Sequence, residues 1–94
     1  MKIAKFFPQK TRSNHDIVEM HPDYSVEKIS KKIGISNRYI AGKDEFASDL
    51  GYNAAKNLFI KYNIDRSEID FLILVTQSPD YLLPATSSII HANI

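Results

Sequence analysis

The feature that most constrains the fold is an apolar run, FLILV at residues 71–75, which Asp70 and Thr76 bound. A continuous apolar run of this length between polar residues is typical of a strand that is buried on both faces. Strands of this kind belong to sheets that helices cover, so the run predicts an α/β domain. The run is far too short to cross a bilayer.

The residues before this run have the period of an amphipathic helix from Glu45 to Tyr62. Asp44 is predicted to cap its N-terminus, and Asn63, which tolerates left-handed backbone, is predicted to cap its C-terminus. We therefore expect a long helix packed on the sheet. The apolar positions that lie four apart are Phe46, Leu50, Ala54, Leu58 and Tyr62.

Shorter elements are predicted towards the N-terminus. The apolar segment Ile3–Phe7 ends at a proline, which fits a short strand followed by a turn. Ser13 or Asn14 can cap a short helix, and Ser25 can cap the next one.

Two signals end that second helix and begin the next elements. Gly34 is a natural C-cap for it, and residues 37–41 are predicted as a short extended piece. A last helix is predicted over Ala85–Ile94, with Pro84 at its first turn.

Composition excludes several classes of function. The 94 residues suffice for one small domain, and the net charge of +1 gives no overall attraction to nucleic acid or membrane. Without cysteine, the chain cannot form a disulfide, a thiolate metal site or a cysteine nucleophile. The three histidines are scattered, so no metal site is expected.

A helix-turn-helix DNA-binding module over residues 25–43 is an alternative interpretation. Its second helix would enter the major groove, where Arg38 and Asn37 suit the edges of bases. Gly42 would disfavour that helix by about 1 kcal/mol relative to alanine. Lys43 stands where an apolar contact between the two helices is needed. A module of this size also has no need of the predicted buried strand.

The whole chain is more similar to another family. Five blocks occur in order and at compatible spacing, and together they resemble the N-terminal part of beta-ketoacyl-[acyl-carrier-protein] synthase III enzymes. The blocks are FP at 7–8 with SN at 13–14, EKISKKIGISNRYIA at 27–41, SDLGYNAAK at 48–56, ID at 64–65 with IDFLILVT at 69–76, and PDYLLPAT at 79–86.

The resemblance implies a thiolase-like fold, in which residues 1–94 would be the N-terminal part of the first of two α/β halves, with a mixed sheet covered by helices. It implies an acyltransferase that condenses an acyl starter thioester with malonyl-acyl carrier protein in fatty acid biosynthesis. The resemblance leaves open relatives of these enzymes that make polyketides or quinolones. The family is cytoplasmic and forms homodimers.

Catalysis in this family uses a Cys-His-Asn set, which is expected beyond Ile94, so the chain alone is expected to be inactive. The substrates implied are acyl-CoA or acyl-acyl carrier protein, together with malonyl-acyl carrier protein. We expect no cofactor, metal, nucleic acid or membrane partner.

The resemblance also implies three site residues. Lys28 stands where the family usually has a tryptophan that stacks on the adenine of CoA, and Lys32 where it usually has an arginine that binds a CoA phosphate. Leu83 stands where a phenylalanine often reaches across the dimer to the partner's acyl pocket. Lysine has neither an aromatic face nor a planar fork of donors. We therefore expect weaker use of CoA thioesters than is typical, unless Lys28, Lys31 and Lys32 form only a solvated helix face.

Overall fold

The computed structural model describes all residues from Met1 to Ile94. They form two compact units, one of residues 8–42 and one of residues 1–7 with 43–94. None of the helices has both the length and the apolar character that crossing a bilayer requires.

The 8–42 unit consists of two short helices and an antiparallel pair of strands, in which Lys10 lies opposite Ile40. The predicted extended piece at 37–41 is therefore confirmed as a strand. In chain order the elements are β1 (Lys10–Ser13), α1 (Asn14–Met20), α2 (Val26–Ile33) and β2 (Asn37–Ile40).

Side-chain caps define both helices of this unit, as the sequence predicted. The Ser13 hydroxyl accepts from the backbone N–H of Asp16, and the Asp16 carboxylate accepts in return from the Ser13 N–H at 2.8 Å. The Ser25 hydroxyl accepts from the Lys28 N–H at 3.2 Å. Gly34 ends α2 with φ +72°, a conformation that costs other residues a steric clash.

The other unit is built on α3 (Ala47–Tyr62), a 3-10 turn (Arg66–Glu68) and α4 (Thr86–Asn93). Asn63 caps α3 with φ +50°, as predicted. The prediction that Asp44 caps this helix is wrong. The helix begins after Phe46, whose N–H donates to the Asp49 carboxylate at 2.8 Å. A carboxylate within the first turn serves the exposed N–H groups as well as one in front of it.

Helices α3 and α4 approach each other at Gly51. A Cβ on Gly51 would lie 2.7 Å from Cδ1 of Ile90, whose exposed fraction is 3%. Cδ1 of Leu74 would lie 3.7 Å from the same Cβ. The small core of this unit therefore depends on a glycine that lets the two helices come together.

The two strands predicted for this unit, Ile3–Phe7 and Phe71–Thr76, are wrong as strands, because neither belongs to the two-stranded sheet. Both segments alternate more exposed with half-buried residues, as strands do. Leu72 and Leu74 are half-buried, whereas Phe71, Ile73 and Val75 are 81%, 77% and 90% exposed. One face is covered and the other is bare, because a strand becomes buried on both faces only inside a larger sheet.

The segment Ile3–Phe7 is held by side chains of α3 instead of by a neighbouring strand. The Tyr62 hydroxyl accepts from the Ile3 N–H and donates to the Ile3 carbonyl, each at 3.2 Å. Lys61 donates to the same carbonyl, and Asn57 donates to the carbonyl of Lys5. The hydrogen bond with the Ile3 backbone lowers the pKa of Tyr62.

Candidate ligand-binding cavity

The 8–42 unit contains a cavity of about 410 Å³ between α1, α2, β2 and the loop between the helices. Its apolar lining consists of isoleucines, and three of its six polar lining residues are basic. The polar residues are Asp23, Tyr24, Ser25, Lys28, Lys32 and Arg38, and the isoleucines are Ile17, Ile29 and Ile33.

Lys28 and Lys32 both line this cavity, so the structure brings the two predicted substrate-binding residues together. They lie four residues apart on α2 and therefore occupy the same face of the helix. Both are exposed to solvent. Lys31, on the same helix, is outside the cavity lining, which agrees with its interpretation as a solvated residue.

Arg38 is a third basic residue of the cavity, and it is more constrained than the lysines. It is half-buried. Its Nη1 donates to the Arg12 carbonyl at 3.1 Å, and its Nη2 donates to Oδ1 of Asn14 at 2.6 Å. Sequence reasoning considered Arg38 only for reading DNA bases. The signal it missed was the alternation along β2, which turns Arg38 and Ile40 to the more buried side.

Asn14 is a buried polar residue with an exposed fraction of 3%. Besides accepting from Arg38, its side chain donates to the Ser30 hydroxyl at 3.1 Å, and its backbone N–H donates to the Ser36 carbonyl at 3.1 Å. Asn14 therefore links α1 with α2 and with the residues around β2. Sequence reasoning identified it only as a possible cap, because burial of one polar residue in a short helix leaves no periodic signal.

Tyr24 supplies an aromatic ring at the cavity, with 57% of its surface exposed. The centroid of its ring lies 5.6 Å from that of His21, at 46° between the planes. Lys28 has no aromatic face of its own, as the sequence indicated, but Tyr24 provides one in the same cavity from the preceding loop.

The helix-turn-helix interpretation of residues 25–43 is wrong. The residues that would form the recognition helix are strand β2, paired antiparallel with β1. The Arg38 side chain holds Asn14 and the Arg12 carbonyl and is not presented at an exposed helix face.

The third predicted site residue, Leu83, belongs to the other unit, on the loop before α4. The loop is anchored by Asp80, whose carboxylate accepts from the N–H and from the hydroxyl of Ser48 at the first turn of α3. The Asp80 N–H donates to the buried Thr86 hydroxyl. Beyond this anchor the apolar tip is bare, with Leu83 85% and Leu82 95% exposed.

No protein-family model matches the chain. It is 39% identical over 93 residues to the beta-ketoacyl-[acyl-carrier-protein] synthase III of Streptococcus sanguinis, a match that covers 99% of this chain and 28% of the relative.

Solved structures give the same result. The synthase III of Thermus thermophilus matches with a TM-score of 0.84 and 31% identity, over 97% of this chain and 28% of that one. OleA of Xanthomonas campestris matches with a TM-score of 0.82 and 31% identity, over 98% of this chain and 29% of that one.

The fold is therefore that of part of a thiolase-like enzyme. Within that class, nearly the whole chain is similar to beta-ketoacyl-[acyl-carrier-protein] synthase III enzymes, and an N-terminal segment of such an enzyme fits the match. The resemblance found in the sequence is thus confirmed. The chain spans about 28% of the length of the curated relatives that it matches.

Proposed function

We propose that this chain is the N-terminal part of a 3-oxoacyl-[acyl-carrier-protein] synthase III, an acyltransferase that condenses an acyl starter thioester with malonyl-acyl carrier protein in fatty acid biosynthesis. The observation that carries the proposal is the cavity of the 8–42 unit, whose lining includes both Lys28 and Lys32, the two positions that the resemblance assigned to CoA binding. The matched relatives and structures support it over nearly the whole chain.

The cavity suits the phosphate-bearing end of a thioester carrier. CoA and the phosphopantetheine arm of a carrier protein both carry phosphate, and lysine ammonium groups attract phosphate as point charges. The isoleucines of the lining form an apolar wall beside these charges. In this proposal the cavity binds and orients the carrier and takes no part in bond making.

The chemistry itself needs a thiolate nucleophile, which the 94 residues do not contain. The chain alone will therefore give no condensation product from radiolabelled acetyl-CoA and malonyl-acyl carrier protein. Product above a heat-killed control would contradict this.

The proposed activity is tested in a chimaera, in which this chain replaces the matched 93 residues of the Streptococcus sanguinis enzyme. The chimaera is expected to condense acetyl-CoA with malonyl-acyl carrier protein. The control is the same chimaera with its nucleophilic cysteine changed to alanine, which sets the background. A folded chimaera that stays at this background would refute the proposed function.

The two lysines are proposed to reduce the use of CoA as donor, in favour of a starter carried by acyl carrier protein. Each lysine replaces a group that can stack or bind phosphate in a fork, and exposed point charges are screened by salt. Tyr24 provides an aromatic ring in the same cavity, so the expected loss of CoA binding is smaller than the two lysines alone would give. Lys28→Trp together with Lys32→Arg in the chimaera should lower the KM for acetyl-CoA; an unchanged KM would exclude this preference.

We further propose that the protein assembles as a homodimer through the loop of Tyr81–Leu83. These apolar side chains are exposed together at its tip, and contiguous apolar surface of this kind usually has a partner. The 94-residue chain should self-associate in sedimentation experiments, and Leu82→Asp with Leu83→Asp should reduce the association. A monomer over a wide concentration range would count against the proposal.

A further inference from the structure

We infer that Arg38 is the fixed anion-binding residue of the cavity and that buried Asn14 positions it. The ligand is a phosphate ester, and its identification with the phosphate of a thioester carrier rests on the proposed function. The sequence pointed to Arg38 only as a reader of DNA bases and to Asn14 only as a helix cap.

The geometry distinguishes Arg38 from the two lysines. Its guanidinium is held at two points, by the Arg12 carbonyl and by Asn14, while Lys28 and Lys32 extend into solvent from α2. A held guanidinium loses little conformational freedom when it binds, whereas each lysine must be ordered by the ligand. The remaining N–H groups of Arg38 can therefore bind an anion that enters the cavity.

The charge of Arg38 is also not cancelled by its partners. Both of its hydrogen bonds go to uncharged oxygen atoms, a backbone carbonyl and an amide. The only acidic residue of the cavity lining is Asp23, which is exposed to solvent. A half-buried cation with neutral partners interacts more strongly with an incoming phosphate than an exposed one does.

Asn14 acts through Arg38 and does not line the cavity itself. Its amide accepts from Arg38 on one side and donates to Ser30 of α2 on the other. It thereby fixes the guanidinium relative to the helix that carries both lysines. Asn14 is a positioning residue, since a change there alters where the charge of Arg38 lies.

The test is a titration of the 94-residue chain, followed by NMR, with three probes: CoA, 4′-phosphopantetheine and pantetheine. CoA should shift the amide signals around Arg38 and α2. A shift with 4′-phosphopantetheine as well places the shared phosphate on Arg38, whereas a shift with CoA alone places a nucleotide phosphate there. Pantetheine, which has no phosphate, should bind much more weakly; equal binding of pantetheine and CoA would overturn the inference.

Variants distinguish a specific contribution of Arg38 to CoA binding from a general effect of positive charge. Arg38→Gln should weaken CoA binding about tenfold or more, the value of one charge-assisted hydrogen bond. Arg38→Lys should lose part of the affinity, because one ammonium group cannot bind the Arg12 carbonyl, Oδ1 of Asn14 and the phosphate together. The matched control is Lys31→Gln, which removes the same charge from α2 outside the cavity and should keep the affinity within about twofold. Equal losses in Arg38→Gln and Lys31→Gln, or full affinity in Arg38→Lys, would overturn the inference.

The variant Asn14→Asp tests the positioning role through CoA affinity, which would not change if Asn14 only stabilised the fold. Aspartate still accepts from Arg38, so the unit should keep its fold, but its charge offsets the guanidinium and CoA binding should fall. Unchanged affinity in folded Asn14→Asp would refute the positioning role. The chimaera distinguishes the two proposals. If it catalyses condensation but its affinity for CoA does not depend on Arg38, the proposed function stands and the role of Arg38 is refuted. If CoA binding depends on Arg38 but the chimaera catalyses no condensation, the role of Arg38 stands and the proposed function is refuted.

Discussion

The two units of the chain differ in how they satisfy their backbone. The 8–42 unit pairs β1 with β2 and caps both of its helices with serine hydroxyls. The other unit has a well-formed helix α3, but its segments 3–7 and 71–76 are extended without forming a ladder. Pairing of β1 with β2 completes the first unit, whereas in the second unit segment 71–76 has no strand beside it and segment 3–7 is held by side chains of α3.

The difference separates the two kinds of function that we propose for the chain. The completed unit holds the cavity, where Arg38 is kept in place by nearby oxygens. The other unit exposes apolar side chains of the 71–76 segment and of the loop tip at Leu82 and Leu83. Large exposed apolar groups in sequence usually indicate contact with other protein surface. Ligand binding is therefore expected to depend on the 8–42 unit, and assembly on the exposed apolar side chains of the other unit.

Amide hydrogen exchange should show the largest contrast. In the 94-residue chain, amides of 71–76 are expected to exchange at least about a hundredfold faster than central amides of α3, because nothing accepts their hydrogen bonds. In the chimaera the same segment should become slow, as a sheet forms around it. Equally slow exchange of 71–76 and α3 in the chain alone would show that the segment is already paired.

A double-mutant cycle at the contact of α3 with α4 should give the next largest effect. Gly51→Ala adds a Cβ at 2.7 Å from Cδ1 of Ile90, and overpacking of this kind costs about 1–3 kcal/mol, against about 1 kcal/mol of gain in helix propensity. The net result is expected to be destabilisation by about 1 kcal/mol in urea unfolding.

Ile90→Val removes the contacting atom, so in the double variant the two changes should couple favourably by about 1 kcal/mol. Gly34→Ala in the other unit is the matched control. Its cost comes from φ +72° with no atom within 4 Å of the new Cβ, so it should show no coupling to Ile90. Additive effects of Gly51→Ala and Ile90→Val would mean that the helices do not meet there.

The sequence predicted most of what depends on near neighbours. Ser13, Ser25 and Gly34 act over a few residues, and each was found where predicted. The strands at 3–7 and 71–76 could not be predicted in the same way, because a ladder depends on partners far away in the chain. The roles of the two cavity lysines were predicted from a family resemblance. The roles of Arg38 and Asn14 could be seen only in the structure, since a hydrogen bond between residues 24 positions apart leaves no local pattern in the sequence.

A pH titration should show the smallest effect, at the start of α1. The hydrogen bond from the Ser13 N–H, followed by that of the Ser13 hydroxyl, holds the pKa of Asp16 below its ordinary value of 3.8. Because the folded pKa is lowered, the stabilisation is present above 3.8 and is lost as pH falls through the folded pKa. The first turn of α1 should therefore fray only in stronger acid.

The measurement is the NMR titration of the Asp16 carboxyl carbon, with Asp16→Asn as the control that removes the pH dependence of the α1 amides. A midpoint at or above 3.8 would show that the capping pair does not form in solution.

The central claim, that the cavity binds the donor carrier, is tested most directly by steady-state kinetics of the chimaera with Lys28→Gln and Lys32→Gln combined. Loss of two charges that face the carrier should raise the KM for the acyl donor about tenfold, while kcat stays within about twofold. Lys31→Gln should leave both constants unchanged. A double variant with the KM of the parent chimaera, or with only kcat reduced, would contradict the claim.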